Sequence, residues 1–262
     1  MKKFFFAWAI IFCFVMYAVP ILAEESPLSE LDYIADKALE MTKAGKYEEA
    51  KKLLEYFSNE FTTITVHEQS FTMDELRIVT LSYDGALQSV NSANLPTEER
   101  IKSVTSFRLV VDALSSEYQP LWTQMENRIM RAYNEVKVAA EHKNHESYHR
   151  SLNVFLSQYS VIQPSIKLDV KVENVQRLDT QIAYIDHYRT EVMESAEALE
   201  QINELEQDLE QLFDNMMEDE ADPSLWWVII TTGSIIMGTL SYVSFRKYSV
   251  EKTEKKQKKL KD

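Results

Sequence analysis

Apolar residues recur three and four positions apart along most of this chain, from about residue 28 to residue 216. That spacing places them on one face of an α-helix and differs from the simple alternation of a strand. Glycine is rare as well, since only Gly45 and Gly85 occur between residues 24 and 224. The pattern therefore predicts an all-α fold, in which residues 24–222 form one helical bundle with its own core.

The first predicted unit is a helical hairpin that breaks at Ala44 and Gly45. The apolar residues of its two helices are Leu31, Ile34, Ala38 and Met41, followed by Tyr47, Ala50, Leu53, Leu54 and Phe57. The stretch AGKYEEAKKLL resembles the second half of a tetratricopeptide repeat (TPR), in which a glycine lets two helices cross closely and a tyrosine and an alanine fill the contact. No second copy follows at a period of about 34 residues, so the sequence predicts one TPR-like hairpin without a repeat array.

Capping residues and prolines mark the limits of the helices that follow. Thr72 and Glu75 have the spacing of a capping box, which predicts that a helix begins there. Another helix is predicted from about Thr97. Pro120 is expected to break the chain, because proline lacks the backbone N–H that a helix interior needs, and the next apolar stripe is expected to end at Pro164.

Residues 166–172 differ from their surroundings because apolar and charged residues alternate there. A period of two suits a strand, and FTTITV at residues 61–66 would have to be its partner, so we expect an extended connector packed on the bundle instead. A long acidic helix is predicted from about Asn174 to Met216. Its apolar seam is interrupted, for example at Glu206, and packing against the bundle is therefore favoured over a separate coiled coil.

The first 23 residues have the composition of a secretory signal peptide. Two lysines precede an uncharged apolar stretch that ends at Ala23, a small residue suited to cleavage before Glu24. An uncleaved N-terminal anchor is the alternative. Cys13 is the only cysteine and lies inside this stretch, so the cleaved chain would have neither a disulfide nor a cysteine ligand for a metal.

Residues 225–245 contain no charged residue and would span roughly 30 Å as a helix, which matches a bilayer core. Aromatic residues lie at both ends of this stretch, as in helices that end at the two membrane surfaces. Arg246 and Lys247 follow at once, and the tail to residue 262 adds six more lysines. The positive-inside rule then predicts a single-pass protein of the cell membrane, with an extracytoplasmic bulk, a transmembrane helix at 225–245 and a basic cytoplasmic tail at 246–262.

A pair of small residues lies inside the predicted transmembrane helix. Ser234 and Gly238 have the small-xxx-small spacing that lets two membrane helices approach closely. This spacing suggests a homodimer formed through the transmembrane helix. Small residues are common in membrane helices, so a helix that does not pair is the alternative.

The part of the chain predicted to lie outside the membrane is strongly acidic. Residues 24–224 hold 18 Lys and Arg against 39 Asp and Glu, a net charge of −21. Such a surface repels nucleic acid and favours a basic protein as partner. From Thr190 to Asp222, which we name the acidic strip, there are 13 acids and no Lys or Arg. The strip is either a solvated helix face or a docking surface for something cationic.

One short motif has the pattern of a zinc hydrolase. It reads HESYH, and its two histidines, His145 and His149, would both lie on one side of a helix as metal ligands. Glu146 would then activate a metal-bound water, and His142 would add a third imidazole on the same side of that helix. An open zinc site needs a third protein ligand, for which the sequence offers Glu173.

The surroundings of this motif favour a different interpretation. A hydrolase packs such a helix behind the metal and keeps its flanks uncharged, whereas Lys143 and Arg150 flank the motif here. Three alternatives remain: a zinc peptidase, a pH or metal sensor built on His142, His145 and His149, and a solvated cluster at a helix edge. We favour the last and predict no catalytic residue, no bound metal and no cofactor.

Three stretches carry a family resemblance: AGKYEEAKKLLEYF, the region from PLWTQMENRIMRAY through SLNVFLSQYSVIQPS, and WWVIITTGSIIMGTLSYVSFRKY. They resemble the sporulation protein YpjB family of endospore-forming, Bacillus-type bacteria. The resemblance implies a membrane protein connected with sporulation, and no catalytic residues come with it. Together with the acidic helical bulk, it leads us to expect a membrane-anchored interaction or scaffold protein that is not an enzyme.

Overall fold

The computed structural model describes residues 27–68, 71–116, 119–218 and 223–258. Within these ranges the chain forms nine α-helices, two short 3-10 helices and no strand, which confirms the predicted all-α fold. The predicted signal peptide, residues 1–23, lies outside the described residues. The helices are α1 (Pro27–Lys43), α2 (Tyr47–Glu68), α3 (Met73–Asn91), α4 (Thr97–Ser115), η1 (Leu121–Met125), α5 (Glu126–Glu141), α6 (His145–Asp169), α7 (Val172–His187), η2 (Glu191–Met193), α8 (Ala196–Glu218) and α9 (Pro223–Lys258).

The chain divides into two compact units. The first comprises Met1–Ser115 and Asn153–Arg177, and the second comprises Ser116–Leu152 and Leu178–Asp262. Helices α1 to α4 belong to the first unit, and α5, α8 and α9 belong to the second, while α6 and α7 each contribute to both. The domain boundaries predicted from the sequence, for the signal peptide, the helical bundle and the basic tail, stay predictions.

Helices α1 to α4 form a four-helix bundle. Each helix packs against the next, and α4 packs back against α1, which closes the ring. Short connections between amphipathic helices produce this up-and-down order. The ring of Phe57 has Phe107 edge-on at 4.8 Å and Phe61 stacked at 5.6 Å. The predicted hairpin is thus confirmed, and it forms half of a bundle. Other buried residues of this core are Leu31, Ile34, Ala38, Ala50, Leu54, Val79, Ala86, Val104 and Val111.

The turn between α1 and α2 is a Schellman motif. The N–H of Lys46 donates to the carbonyl of Met41 at 2.9 Å, and the N–H of Gly45 donates to that of Thr42 at 3.1 Å. Gly45 has a φ of +73°, a left-handed conformation that a Cβ atom disfavours. The break predicted at this glycine is confirmed.

The predicted start of α3 is confirmed in detail. The N–H of Glu75 donates to Thr72 Oγ1 at 3.2 Å, and the N–H of Thr72 donates to the Glu75 carboxylate at 2.6 Å. Both halves of the capping box are therefore present, and they satisfy two N–H groups that a helix start leaves free. As predicted, α4 begins at Thr97 and η1 follows Pro120.

Arg100 closes the connection between α3 and α4. Its Nη1 donates to the carbonyls of Ser89 and Val90 at 3.3 and 3.1 Å, and its Nε donates to that of Leu95 at 3.0 Å. The guanidinium also lies over the ring of Tyr47, 4.3 Å from its centre. Carbonyls at the end of a helix have no partner within it, so this buried arginine caps α3 and ties the loop to the start of α2.

Arg108 joins the two helices that close the bundle. Its guanidinium donates two hydrogen bonds to Asp32 of α1, at 2.7 and 3.1 Å. Asp36 and Asp112 lie 3.6 Å from it. Arg108 is only 7% exposed, and a buried cation needs close carboxylates to offset its lost hydration. The ion pair therefore holds α4 against α1.

In the second unit, α8 packs against α5 through polar contacts as well as apolar ones. The hydroxyl of Tyr133 donates to the carbonyl of Ile202 at 2.7 Å. The ammonium group of Lys137 lies 2.5 Å from the carboxylate of Glu206, and this hydrogen bond raises the pKa of Lys137. The expectation that the acidic helix packs against the folded part is confirmed, and Glu206 interrupts the apolar seam because it pairs with Lys137.

A second buried tyrosine makes the same kind of contact. The hydroxyl of Tyr148 in α6 donates to the carbonyl of Ile185 in α7 at 3.2 Å. Both Tyr133 and Tyr148 are fully buried, and burial raises the pKa of each phenol above its ordinary value of 10.0. Each tyrosine thus fills core volume with its ring and satisfies a backbone acceptor with its hydroxyl.

Two predictions for the region around Pro164 are wrong. Helix α6 continues through Pro164, so the apolar stripe does not end there and residues 166–172 are not an extended connector. Residues 61–66 lie inside α2 and form no strand. Ile162 and Ile166 are buried and lie four positions apart, which is helical spacing. The alternation of apolar and charged residues after Ile166 therefore does not indicate extended backbone here.

The predicted long helix from Asn174 to Met216 is two helices. Helix α7 ends at His187, and α8 begins only at Ala196, with η2 between them. Val192 of η2 is buried, as are Ile185 before it and Met193 and Ile202 after it. The spacing of the apolar residues continues through the connection between α7 and α8. For this reason the sequence predicts a single helix.

Replacing Arg100 by alanine should destabilise the first unit by about 2–4 kcal/mol, because three carbonyls each lose one hydrogen bond. Thermal unfolding in detergent, followed by circular dichroism, measures this loss as a lower Tm. Arg77→Ala is the matched control, since Arg77 is exposed on α3 and its removal should change stability by less than about 0.5 kcal/mol. Equal effects of the two changes would contradict the capping role.

Stability should fall at alkaline pH because of Tyr133 and Tyr148. Their pKa values are raised in the folded chain, so the unfolded chain releases these protons first. Their contribution is constant below about pH 10 and is lost above it, by up to about 1.4 kcal/mol per pH unit for each tyrosine.

Urea unfolding at a series of pH values from about 9 to 11 measures this slope. The double variant Tyr133→Phe, Tyr148→Phe should show a smaller slope above pH 10, although its stability at pH 7 will be lower. An undiminished slope would mean that other groups cause the alkaline loss.

Candidate functional site

The turn between α5 and α6 determines where the histidines lie. Helix α5 ends with a Schellman motif like that of α1: the N–H of Asn144 donates to the carbonyl of Ala139 at 3.0 Å. Lys143 has a φ of +52° at the position where the turn after α1 has a glycine. Helix α6 then begins at His145. His142 therefore lies in the turn, and the prediction that three histidines share one side of one helix is wrong.

His145 and Glu146 occupy the exposed first turn of α6. Asn144 caps this end, since its side-chain oxygen accepts a hydrogen bond from the N–H of Ser147 at 3.0 Å. The Glu146 carboxylate lies 3.1 Å from the guanidinium of Arg150, and both side chains are exposed. A general base needs a fixed position next to its substrate, whereas this carboxylate is a solvated partner in an i,i+4 ion pair.

His149 is four residues after His145, on the same side of α6, and its ring lies next to a cation. Nη1 of Arg189 is 3.4 Å from Nδ1 of His149. The same guanidinium donates to the carboxylate of Asp186. A positive charge at this distance repels a divalent metal ion. The setting of His149 is therefore an ion-pair cluster at the end of α7.

Glu173, the candidate third ligand of the zinc alternative, lies in the first turn of α7. The expectation of an extended segment here is wrong, and a carboxylate is favourable at this position because of the helix dipole. Glu173 belongs to the first unit, whereas His145 and His149 belong to the second. Among the described residues, no three His, Cys, Asp or Glu side chains are grouped to hold a metal ion. That the chain has neither a metal nor a catalytic residue stays a prediction.

The acidic strip corresponds to η2, α8 and their flanks, of which residues 219–222 lie outside the described ranges. One side of α8 is apolar and buried, and includes Ile202, Leu205, Leu209, Leu212 and Phe213. Exposed acids on α8 are Glu197, Glu200, Glu204, Glu210 and Asp214. Like charges so close together repel one another, and a cationic surface would relieve that repulsion.

Among the described helices, α9 is the one that is long and apolar enough to cross a membrane, over Trp227–Tyr248. This segment overlaps the predicted helix at 225–245. Arg246 and Lys247 lie near its end, and the helix continues to Lys258. Its exposed apolar residues include Trp227, Val228, Ile229, Ile230, Ile235, Ile236, Met237, Leu240, Tyr242, Val243 and Phe245.

The small residues of α9 lie on its open surface. Ser234 and Gly238 are both exposed, and a Cβ atom added at Gly238 would meet nothing within 4 Å. A second helix would therefore find space on this side of α9. The predicted pairing of two such helices stays a prediction.

Three arginines have structural roles that the sequence pattern did not predict. Arg100 and Arg108 lie four residues before and after Val104, on the buried stripe of α4. This helical spacing is a signal that would have marked both as buried cations. Arg189 follows the end of α7, and nothing in the local pattern indicates that it lies beside His149.

Comparison with known proteins places nearly the whole chain in one family. The profile of the family described as Sporulation protein YpjB (SpoYpjB) matches residues 28–257. The Bacillus subtilis (strain 168) protein named "Uncharacterized protein YpjB" is 36% identical over 238 residues, which cover 90% of each chain. No solved structure matches this chain.

The purified chain should retain no stoichiometric zinc after dialysis, because Arg189 lies beside His149 and the Glu146 carboxylate is paired with Arg150. Elemental mass spectrometry of the parent and of the His145→Ala, His149→Ala double variant measures this. Equal, near-zero zinc in both is the expected result. One zinc per chain that disappears in the double variant would contradict it and support the peptidase and sensor alternatives.

Proposed function

Because this chain belongs to the sporulation protein YpjB family, we propose that it acts in spore formation as a single-pass membrane protein whose helical part binds another protein. The observation that carries this proposal is the exposed apolar surface of α9 over Trp227–Tyr248. Removing one large apolar side chain from water is favourable by about 1.5–3 kcal/mol. Insertion into a bilayer would remove all exposed apolar side chains of this segment from water. The segment is also long enough to cross the apolar core of the bilayer.

The charges at the two ends of α9 support one topology. Arg246 and Lys247 follow the apolar stretch, and basic residues next to a membrane helix favour the cytoplasmic side. The acidic strip precedes α9 and then lies outside, together with both helical units. A signal peptide at residues 1–23 would direct the chain to the same arrangement, with the bulk extracytoplasmic at the cell membrane.

We assign partner binding to the exposed side of α8. The apolar side of α8 packs against α5, so the surface that remains for a partner consists of exposed carboxylates. Charge complementarity favours a protein with a basic surface and speeds its association. The proposal gives the chain no catalytic role, since Glu146 is exposed and paired with Arg150.

Changing Glu197, Glu200 and Glu204 to glutamine should weaken partner binding about tenfold, because each substitution removes one exposed charge from the surface. A photoreactive residue at position 203, between these acids, measures binding in sporulating cells as the yield of the cross-linked partner. Spore counts measure the functional consequence. Both readouts should fall in the variant while its protein level stays unchanged.

The matched control changes three exposed glutamates of α2 in the same way: Glu48, Glu49 and Glu55. It removes the same charge from the first unit and should leave both readouts unaltered. If the control lowers both readouts as much as the α8 variant does, the net charge of the chain and not this surface determines them. If neither variant changes the cross-link or the spore count, partner binding through α8 is wrong.

A further inference from the structure

The helix that contains the apolar stretch does not end with it. Helix α9 continues as one helix beyond Tyr248 to Lys258. We name residues 246–258 the basic stem. It holds one arginine and five lysines against two glutamates, a net charge of +4. The acidic strip at the other end of the apolar stretch has 13 acids without a base, so the sign of the charge changes across α9.

We propose that the basic stem binds anionic phospholipid headgroups of the leaflet from which it emerges. This inference rests on the proposed anchoring of α9 in a bilayer. At about 1.5 Å per residue, Lys252 lies about 6 Å beyond Tyr248 along the helix and Lys256 lies about 12 Å beyond it. These distances are comparable with the Debye length of about 8–10 Å at physiological salt. Most of the stem therefore lies within the electrostatic field of a charged membrane surface.

The chemistry of the stem points to phosphate headgroups as its ligand. After Val250 the stem has no apolar residue, so it has no face that would insert among acyl chains or fill an apolar groove. What it offers is closely spaced positive charge beside the bilayer, with Glu251 and Glu254 too few to neutralise it. Zwitterionic lipids carry no net charge, so the attraction requires anionic lipids.

Energy transfer in nanodiscs tests the proposal with the full chain. A donor fluorophore is attached after Asp262, and acceptors are placed on lipid headgroups. Discs of phosphatidylcholine alone are compared with discs that contain about 30% phosphatidylglycerol. Transfer should be higher in the anionic discs and should return to the phosphatidylcholine value in about 0.5 M NaCl, because salt screens the attraction.

Two variants separate charge from other properties of the stem. Each basic residue near the surface contributes about fivefold to binding, so glutamine at four lysines should lower the equilibrium constant of the bound state about 100-fold or more and remove the response. Arginine at the same positions keeps the charge and should keep the response. The four positions are Lys252, Lys255, Lys256 and Lys258.

Equal transfer in the two disc types would overturn the proposal, and so would a full response from the glutamine variant. Anchoring is read separately, as co-elution of the chain with discs in size-exclusion chromatography. A chain that does not co-elute contradicts the proposed membrane function itself. A chain that co-elutes without a lipid-dependent change contradicts only the headgroup binding.

Discussion

Each described helix has to remove an apolar stripe from water, and the rest of the structure follows from how it does so. Helices α1 to α4 bury their apolar stripes against one another in a closed ring, and α8 buries its stripe against α5. A helix that is apolar on one side leaves its other side free for charge. In α9 the consecutive residues 228–230 and 235–237 are all apolar and exposed, so no single neighbouring helix would cover them. This geometry supports the proposed anchoring of α9 in a bilayer.

Backbone acceptors impose a second constraint, and long side chains meet it. Arg100 reaches carbonyls at the end of α3, while Tyr133 and Tyr148 each reach a carbonyl on a neighbouring helix. Carbonyls removed from water need partners, and each of these side chains supplies a donor at the end of a largely apolar stem or ring. The same contacts fix how neighbouring helices meet within a unit, because a hydrogen bond specifies a position more closely than apolar packing does.

The two Schellman turns show what the sequence can and cannot reveal about this fold. The break after α1 was predictable because Gly45 stands where φ is positive and glycine is the usual residue there. The break after α5 has the same hydrogen bonds, yet Lys143 adopts the positive φ, and a lysine gives no such signal. Because the sequence does not indicate this turn, His142 is predicted to share one helix with His145 and His149. That prediction made the zinc hypothesis stronger than the geometry allows.

The positions of the prolines predicted the helix boundaries only in part. Pro120 precedes η1 as expected, whereas Pro164 lies inside α6. A proline removes one hydrogen bond from a helix, and burial of Ile162 and Ile166 on the same helical side outweighs that loss. The capping box at Thr72 was predictable because its signal is entirely local.

The connection between α8 and α9 limits how far the acidic surface of α8 can lie from a membrane-inserted α9. Helix α8 ends at Glu218 and α9 begins at Pro223, and the five Cα–Cα intervals between them reach at most about 18 Å even when fully extended. Once α9 is inserted, the end of α8 is confined to a thin layer beside the bilayer. The proposed partner would then meet the acidic surface at a high effective concentration if it lies in the same membrane, whereas a partner anchored farther away would gain nothing from the tether. Reach, as well as charge, would select the partner.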